Sequence, residues 1–137
     1  MKKTIYILFL LPFLLFASQK YELKLYESIF LSIFKDQNIK VYADKESLKL
    51  LQGSSMLTTV EHCNEATTLL LGKEFEKLPE ICKNKPIFAT NYMYYQKMPN
   101  AFGVFYWRKG RPQIKFKKST LLSYHLKLPD SLRKYAK

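Results

Sequence analysis

Histidine, glycine and arginine are scarce in this chain, and each scarcity removes a class of function. His62 and His125 are the only histidines among 137 residues. Neither lies in an HExxH metal pattern, and no GxSxG stretch supplies a nucleophile elbow, so no motif assembles nucleophile, base and oxyanion donors. The four glycines, Gly53, Gly72, Gly103 and Gly110, stand apart from one another, which excludes a glycine-rich phosphate cradle. Acidic pairs such as Asp44 with Glu46, or Glu74 with Glu76, fit helix capping or a solvated face better than a shared proton. The chain therefore reads as a non-enzymatic protein with no metal and no cofactor.

Arg108, Arg111 and Arg133 are the only arginines; the other basic residues are lysines scattered along a chain of formal charge +12. Such a surplus favours anionic partners, whether phospholipid headgroups, nucleic acid or an acidic protein face. Phosphate readers concentrate arginine forks, however, and the scatter here matches a lysine-rich background. Tyr92, Tyr94, Tyr95, Phe105, Tyr106 and Trp107 do lie near Lys97, Arg108, Lys109 and Arg111, the mixture that holds single strands. Alternate strand residues must face a core, which claims about half of those rings, so nucleic acid ranks below a protein partner.

Met1-Lys2-Lys3, an apolar run from Ile5 to Phe16 and the small Ala17-Ser18 form the charged start, apolar centre and small-residue end of a secretory signal. The run is too short to cross a hydrocarbon core of ~30 Å as a helix. Residues 1–18 are expected to be removed, leaving 19–137 as a single domain in the periplasm with no membrane span; retained, the same segment would be an N-terminal anchor. Leu15 or Phe16 stands where a peptidase prefers a small residue. Loss of Lys2 and Lys3 lowers the charge by two and leaves a basic protein.

Two cysteines, Cys63 and Cys82, accompany export into an oxidising compartment, and an even count there points to a disulfide. No CxxC, no CxxCH and no metal-spaced histidine offers a rival use; His62 beside Cys63 is the one hint of a catalytic thiol, and sequence neighbours usually point their side chains apart.

Periodicity supplies the frame. Tyr26, Ile29, Phe30, Ile33 and Phe34 recur with helical spacing, making Glu22 to Lys35 an amphipathic helix. Ile39 to Tyr42 reads as a strand, and Asp44 as the cap of a short helix stopping at Gly53. Met56 to Val60, Ala66 to Leu71 and Pro86 to Thr90 follow as strands, the last two apolar enough to be buried on both faces. The segment 73–85 is a compact crossover. As parallel neighbours, these two strands place Cys63 and Cys82 at the same end of the sheet, within disulfide reach. Phe102 to Trp107, a basic turn from Arg108 to Arg111, and Pro112 to Lys117 form a hairpin whose second strand has a wet face. Ser119 caps a helix, and Leu128 to Ala136 forms another. The expected fold is an α/β or α+β sandwich around a mixed sheet, with a C-terminal hairpin plus helix.

In pattern and order the chain resembles the YfiR-like periplasmic proteins over nearly all of residues 19–137. The amphipathic first helix precedes an Ile-Lys-Val-Tyr strand, and a cysteine stands before a strand ending in Gly72. The closest part is Gly103 to Trp107, Gly110 to Phe116 and Leu126 to Ala136, similar to the family's hairpin, linker and terminal helix. Phe34-Lys35-Asp36 departs from the family's Trp-Pro ending of the first helix, and the loops are shorter. The resemblance implies a regulator without catalysis that restrains the sensor domain of an inner-membrane signalling protein, such as a diguanylate cyclase. A small-solute-binding or single-stranded nucleic-acid-binding module is the alternative.

Asn91 to Asn100 has no clean period and concentrates tyrosine and methionine, residues enriched in interface cores. Tyr92, Met93, Tyr94, Tyr95 and Met98, with Arg108, Lys109 and Arg111, are the expected partner contacts; the alternative for the segment is a lid over the sheet. Intact-mass measurement of the exported protein is expected to find a chain beginning near Gln19. A periplasmic fraction retaining Met1 to Ser18 would make that segment an anchor.

Overall fold

The computed structural model describes residues 20–35, 38–72 and 78–137. The expected leader and residues 73–77 of the crossover lie outside the described residues. Six strands form one mixed sheet, flanked on both faces by helices and turns. Helix α1 (20–33) is followed by β1 (Ile39–Ala43), α2 (Lys45–Leu48), β2 (Leu57–Thr59), β3 (Thr68–Leu71), β4 (Ile87–Ala89), α3 (Tyr92–Lys97), β5 (Ala101–Arg108), β6 (Arg111–Phe116) and α4 (Lys118–Ser123). The strand order is β2-β1-β3-β4-β5-β6. β1 to β5 pair in parallel, and only β6 runs antiparallel, in the expected hairpin.

The sheet separates two cores of different chemistry. Against α1 the core is aromatic: Phe88 at the centre of β4 meets Tyr26, Phe30, Phe102 and Phe116 at ring-centroid distances of 5.8, 5.7, 5.6 and 6.2 Å. A helix as short as α1 is marginal alone in water. Packing of Tyr26, Ile29, Phe30 and Ile33, all buried on one stripe, is what holds it. The opposite core is built from Leu69, Leu71, Ile87, Ala89, Ala101 and Val104 beneath the two cysteines and α3.

A bulge in β5 adds one residue to the aromatic core. Ile87 pairs with Ala101 but Phe88 pairs with Gly103, so Phe102 is an extra residue. Phe102 and Phe105 consequently join the same aromatic core despite their odd separation. Gly103 is required beside it, because a Cβ there would stand 2.7 Å from Phe88 Cε2 and 2.8 Å from Phe116 Cδ1. The hairpin closes on Lys109 and Gly110, both at positive φ (52° and 75°). This is the two-residue turn whose twist matches the flanking strands.

Three local expectations are corrected. The aperiodic segment after β4 contains α3, capped by the Asn91 side chain, which accepts from Tyr94 N at 3.2 Å. α4 begins after Lys117 rather than at Ser119, because Lys118 N donates to Lys137 O and Phe116 O accepts from Lys137 N, anchoring the helix start through backbone. The last helix is a 3-10 turn over Asp130–Tyr135 that leads into a parallel bridge between Ala136 and Phe116.

Cys63 and Cys82 form a disulfide with a Cα separation of 6.0 Å. Each lies in a 3-10 turn leading toward its strand, Cys63–Glu65 before β3 and Cys82 before β4. Lys85 Nζ reinforces the junction by donating to Asn64 O at 2.9 Å and to Ala66 O. Replacing both cysteines with serine is expected to cost about 3 kcal/mol by the chain-entropy model, and so to lower Tm by roughly 10–20 °C for a domain this size. Thiol labelling of the native, unreduced protein should find no free cysteine; full retention of Tm in the double variant would contradict a stabilising role.

Candidate functional site

Parallel strands present their carboxyl ends along one edge of the sheet, the place where open α/β sheets hold ligands. Here that edge is organised by Asp44, which follows β1. Its Oδ1 accepts from Ser47 N at 2.9 Å and caps α2, while its Oδ2 accepts from Gly72 N at 2.8 Å just beyond β3. Ser47 Oγ and Thr90 Oγ1 share a hydrogen bond of 3.2 Å, drawing in the end of β4. Gly72 must lack a side chain, because a Cβ would overlap Thr90 Oγ1.

Next to this network, over the ends of β4 and β5, lies an open cleft of about 530 Å³. Glu22 and Tyr26 of α1 line one side, Glu46, Ser47 and Leu50 another, and Tyr92 with Met93 of α3 a third; Thr90, Asn91, Phe105, Tyr106 and Trp107 complete it. Trp107 Nε1 donates to Glu22 Oε1 at 2.6 Å, which ties the indole to α1 at the cleft wall. On the other side of β5, Tyr106 packs on Tyr92 with ring centroids 4.9 Å apart.

The residues expected to contact a partner divide into two groups. Tyr94 and Tyr95 are each only 7 % exposed and belong to the core beneath α3, so they are not surface anchors. A helix of this length must bury one side to persist, and these two rings are that side. Tyr92 and Met98 are half-buried against the same core. Met93, by contrast, is 63 % exposed, and Arg108, Lys109 and Arg111 are all exposed at the hairpin tip. Trp107, which sequence reasoning did not select as a contact, is 45 % exposed beside them. Its position one residue inside a basic turn is the signal that distinguishes it from the core aromatics of β5.

The face of β6 expected to be wet is exposed at Arg111 and half-exposed at Gln113 and Lys115, and part of it lies against α3. Lys115 Nζ lies 4.9 Å from the Tyr92 ring centroid and Lys117 Nζ 4.5 Å from that of Tyr95. Lys117 Nζ also donates to Tyr95 O at 2.7 Å and Met98 O at 3.1 Å, occupying carbonyls at the end of α3. Its partial burial lowers its pKa. Two rings of the mixture visible in the sequence, Tyr92 and Tyr95, thus meet Lys115 and Lys117 rather than Lys97, Arg108, Lys109 or Arg111, and these contacts fasten α3 to the hairpin. His62 and His125 are exposed, in the turn before β3 and after α4. Among the described residues, no group of three or more histidine, cysteine or acidic side chains is placed to hold a metal ion, and no helix is long and apolar enough to cross a membrane.

No protein-family model and no curated protein sequence matches the chain.

Burial pushes the Tyr94 phenol up to about 12, with Asp44 adding to the shift. The Tyr95 phenol rises to about 12 through burial, with Tyr92 and Tyr106 adding. Tyr26 is raised further, by burial and then by Glu22. Folded values above the usual value near 10 mean that the unfolded chain holds fewer protons once pH passes 10, so this contribution to stability is complete below pH 10 and is lost as pH rises toward 12. In an alkaline titration followed by tyrosinate absorbance, a fraction of the tyrosines is expected to ionise only with unfolding. Replacing Tyr94 and Tyr95 with Phe should shrink that delayed fraction; an unchanged fraction would place those rings in solvent.

Proposed function

We propose that the protein is a non-enzymatic periplasmic regulator that binds the sensor domain of an inner-membrane signalling protein. The observation that carries this reading is the corner at the carboxyl edge, where the exposed Met93 and Trp107 line one cleft and the chain runs on from Trp107 into the exposed cations Arg108, Lys109 and Arg111. Apolar anchors with an adjacent cationic rim are the composition of a protein contact: the anchors slow dissociation and the charges steer an acidic partner. The disulfide and the export signal of the sequence support the compartment. The resemblance to YfiR-like proteins supports the class of partner, a diguanylate cyclase being one such protein.

The test uses the exported protein and an inner-membrane protein captured with it, whose periplasmic domain is then purified for kinetics. Replacing Arg108, Lys109 and Arg111 together with Gln is expected to lower the association rate about tenfold at low salt and to flatten its salt dependence. Met93→Ala is expected chiefly to raise the dissociation rate. Binding unchanged in both folded variants would remove this corner as the contact, and failure of any membrane protein to form a saturable complex would remove the regulator reading.

A further inference from the structure

We propose that the cleft at the carboxyl edge binds a small organic cation, an amine or quaternary ammonium ion, between the exposed indole of Trp107 and the carboxylates of Glu22 and Glu46. The site does not rest on the partner reading above.

Charge is the first argument. The chain carries 23 lysines and arginines against 11 acidic residues, yet the cleft is lined by two glutamates and by no lysine or arginine. Glu22 comes from α1 and Glu46 from α2, so two elements distant in sequence deliver a carboxylate each to a single concavity. An anion would meet uncompensated negative charge there, and a wholly apolar ligand would strip water from two carboxylates without replacing its hydrogen bonds. A cation is the ligand whose entry the lining favours.

Aromatic walls then select an organic cation over a hydrated metal ion. Of the rings that line the cleft, Tyr26 and Phe105 are buried and Tyr92 already meets Lys115 and Tyr106, so the exposed Trp107 offers the face, and ammonium groups bind over Trp most strongly. Trp107 is held for that purpose in two ways. Phe105 packs against its ring at a centroid distance of 5.7 Å in an edge-on arrangement. Its N–H donates to Glu22 Oε1 at 2.6 Å, and a charge-assisted bond of this kind pushes electron density toward the ring, deepening its attraction for a cation. A volume of about 530 Å³ suits a small molecule. The half-buried hydroxyl of Thr90, held by its bond to the buried Ser47, supplies a polar group for the remainder of the ligand.

Trp107 is the only tryptophan in the chain, so it reports on the site without labelling. Fluorescence and calorimetric titrations of the full exported protein with tetramethylammonium chloride, choline chloride and 1,4-diaminobutane, at constant ionic strength, are expected to give saturable binding for at least one probe. The neutral isostere of choline, 3,3-dimethylbutan-1-ol, should bind about tenfold more weakly or not at all. The double variant Glu22→Gln and Glu46→Gln keeps an acceptor for the indole N–H and should retain its melting transition while losing about tenfold in affinity. Absence of saturation with all three cations would overturn the proposal. So would equal binding of the neutral alcohol, or wild-type affinity in the folded double variant.

Discussion

The carboxylate of Asp44 is the constraint on which the working edge of this molecule depends. One side chain spans three elements: it ends β1, starts α2 and holds the backbone beyond β3. Parallel strands have no tight turns joining neighbours, so their carboxyl ends are free to splay unless something bridges them. Charge-assisted hydrogen bonds to two backbone amides do this with more strength than neutral contacts would supply. The hydroxyl pair of Ser47 and Thr90 extends the bridge to β4, and the cleft beside it inherits a floor whose parts are fixed relative to one another.

The two faces of the sheet divide the remaining work. Edge-on and tilted rings around Phe88 hold α1 on one face. The other face has fewer large side chains, and there the chain relies on the disulfide, the Lys85 clamp and the two lysines laid over Tyr92 and Tyr95. These fastenings sit at different ends. The disulfide joins the turns leading into the amino ends of β3 and β4, whereas the cleft opens over the carboxyl ends of β4 and β5. The disulfide and the cleft are thereby built from separate residues.

Much of the framework is legible in the sequence, because the signals for it are local. The stripe from Tyr26 to Phe34, the Asp44 cap, the apolar runs of β3 and β4 and the Lys109-Gly110 turn each follow from spacing or backbone preference within a few residues. The disulfide is legible one step further, since parallel neighbours bring their leading turns together. The site is less so. Tyr94 and Tyr95 carry the composition of contact residues, but a short helix lets only one side face water, and which side depends on the strands beneath it. Likewise, Glu22 and Trp107 are 85 positions apart, and nothing local links an acid near the start of α1 to an indole at the end of β5. The face of β6 read as wet is half-exposed at Lys115; that Lys115 meets the Tyr92 ring depends on a helix that sequence alone leaves without a period.

The extra residue at Phe102 has a consequence for how this chain tolerates change. A regular strand cannot lose one residue without turning over everything beyond the loss, which here would send Trp107 away from Glu22 and Tyr106 away from Tyr92. β5 holds a spare position, so a single-residue deletion at Phe102 would restore plain alternation and leave the hairpin facing as it does now. The loss would be one ring from the aromatic core, while the cleft aromatics kept their orientation. An inserted residue has no such absorber, and length variation in this strand should therefore run toward shortening.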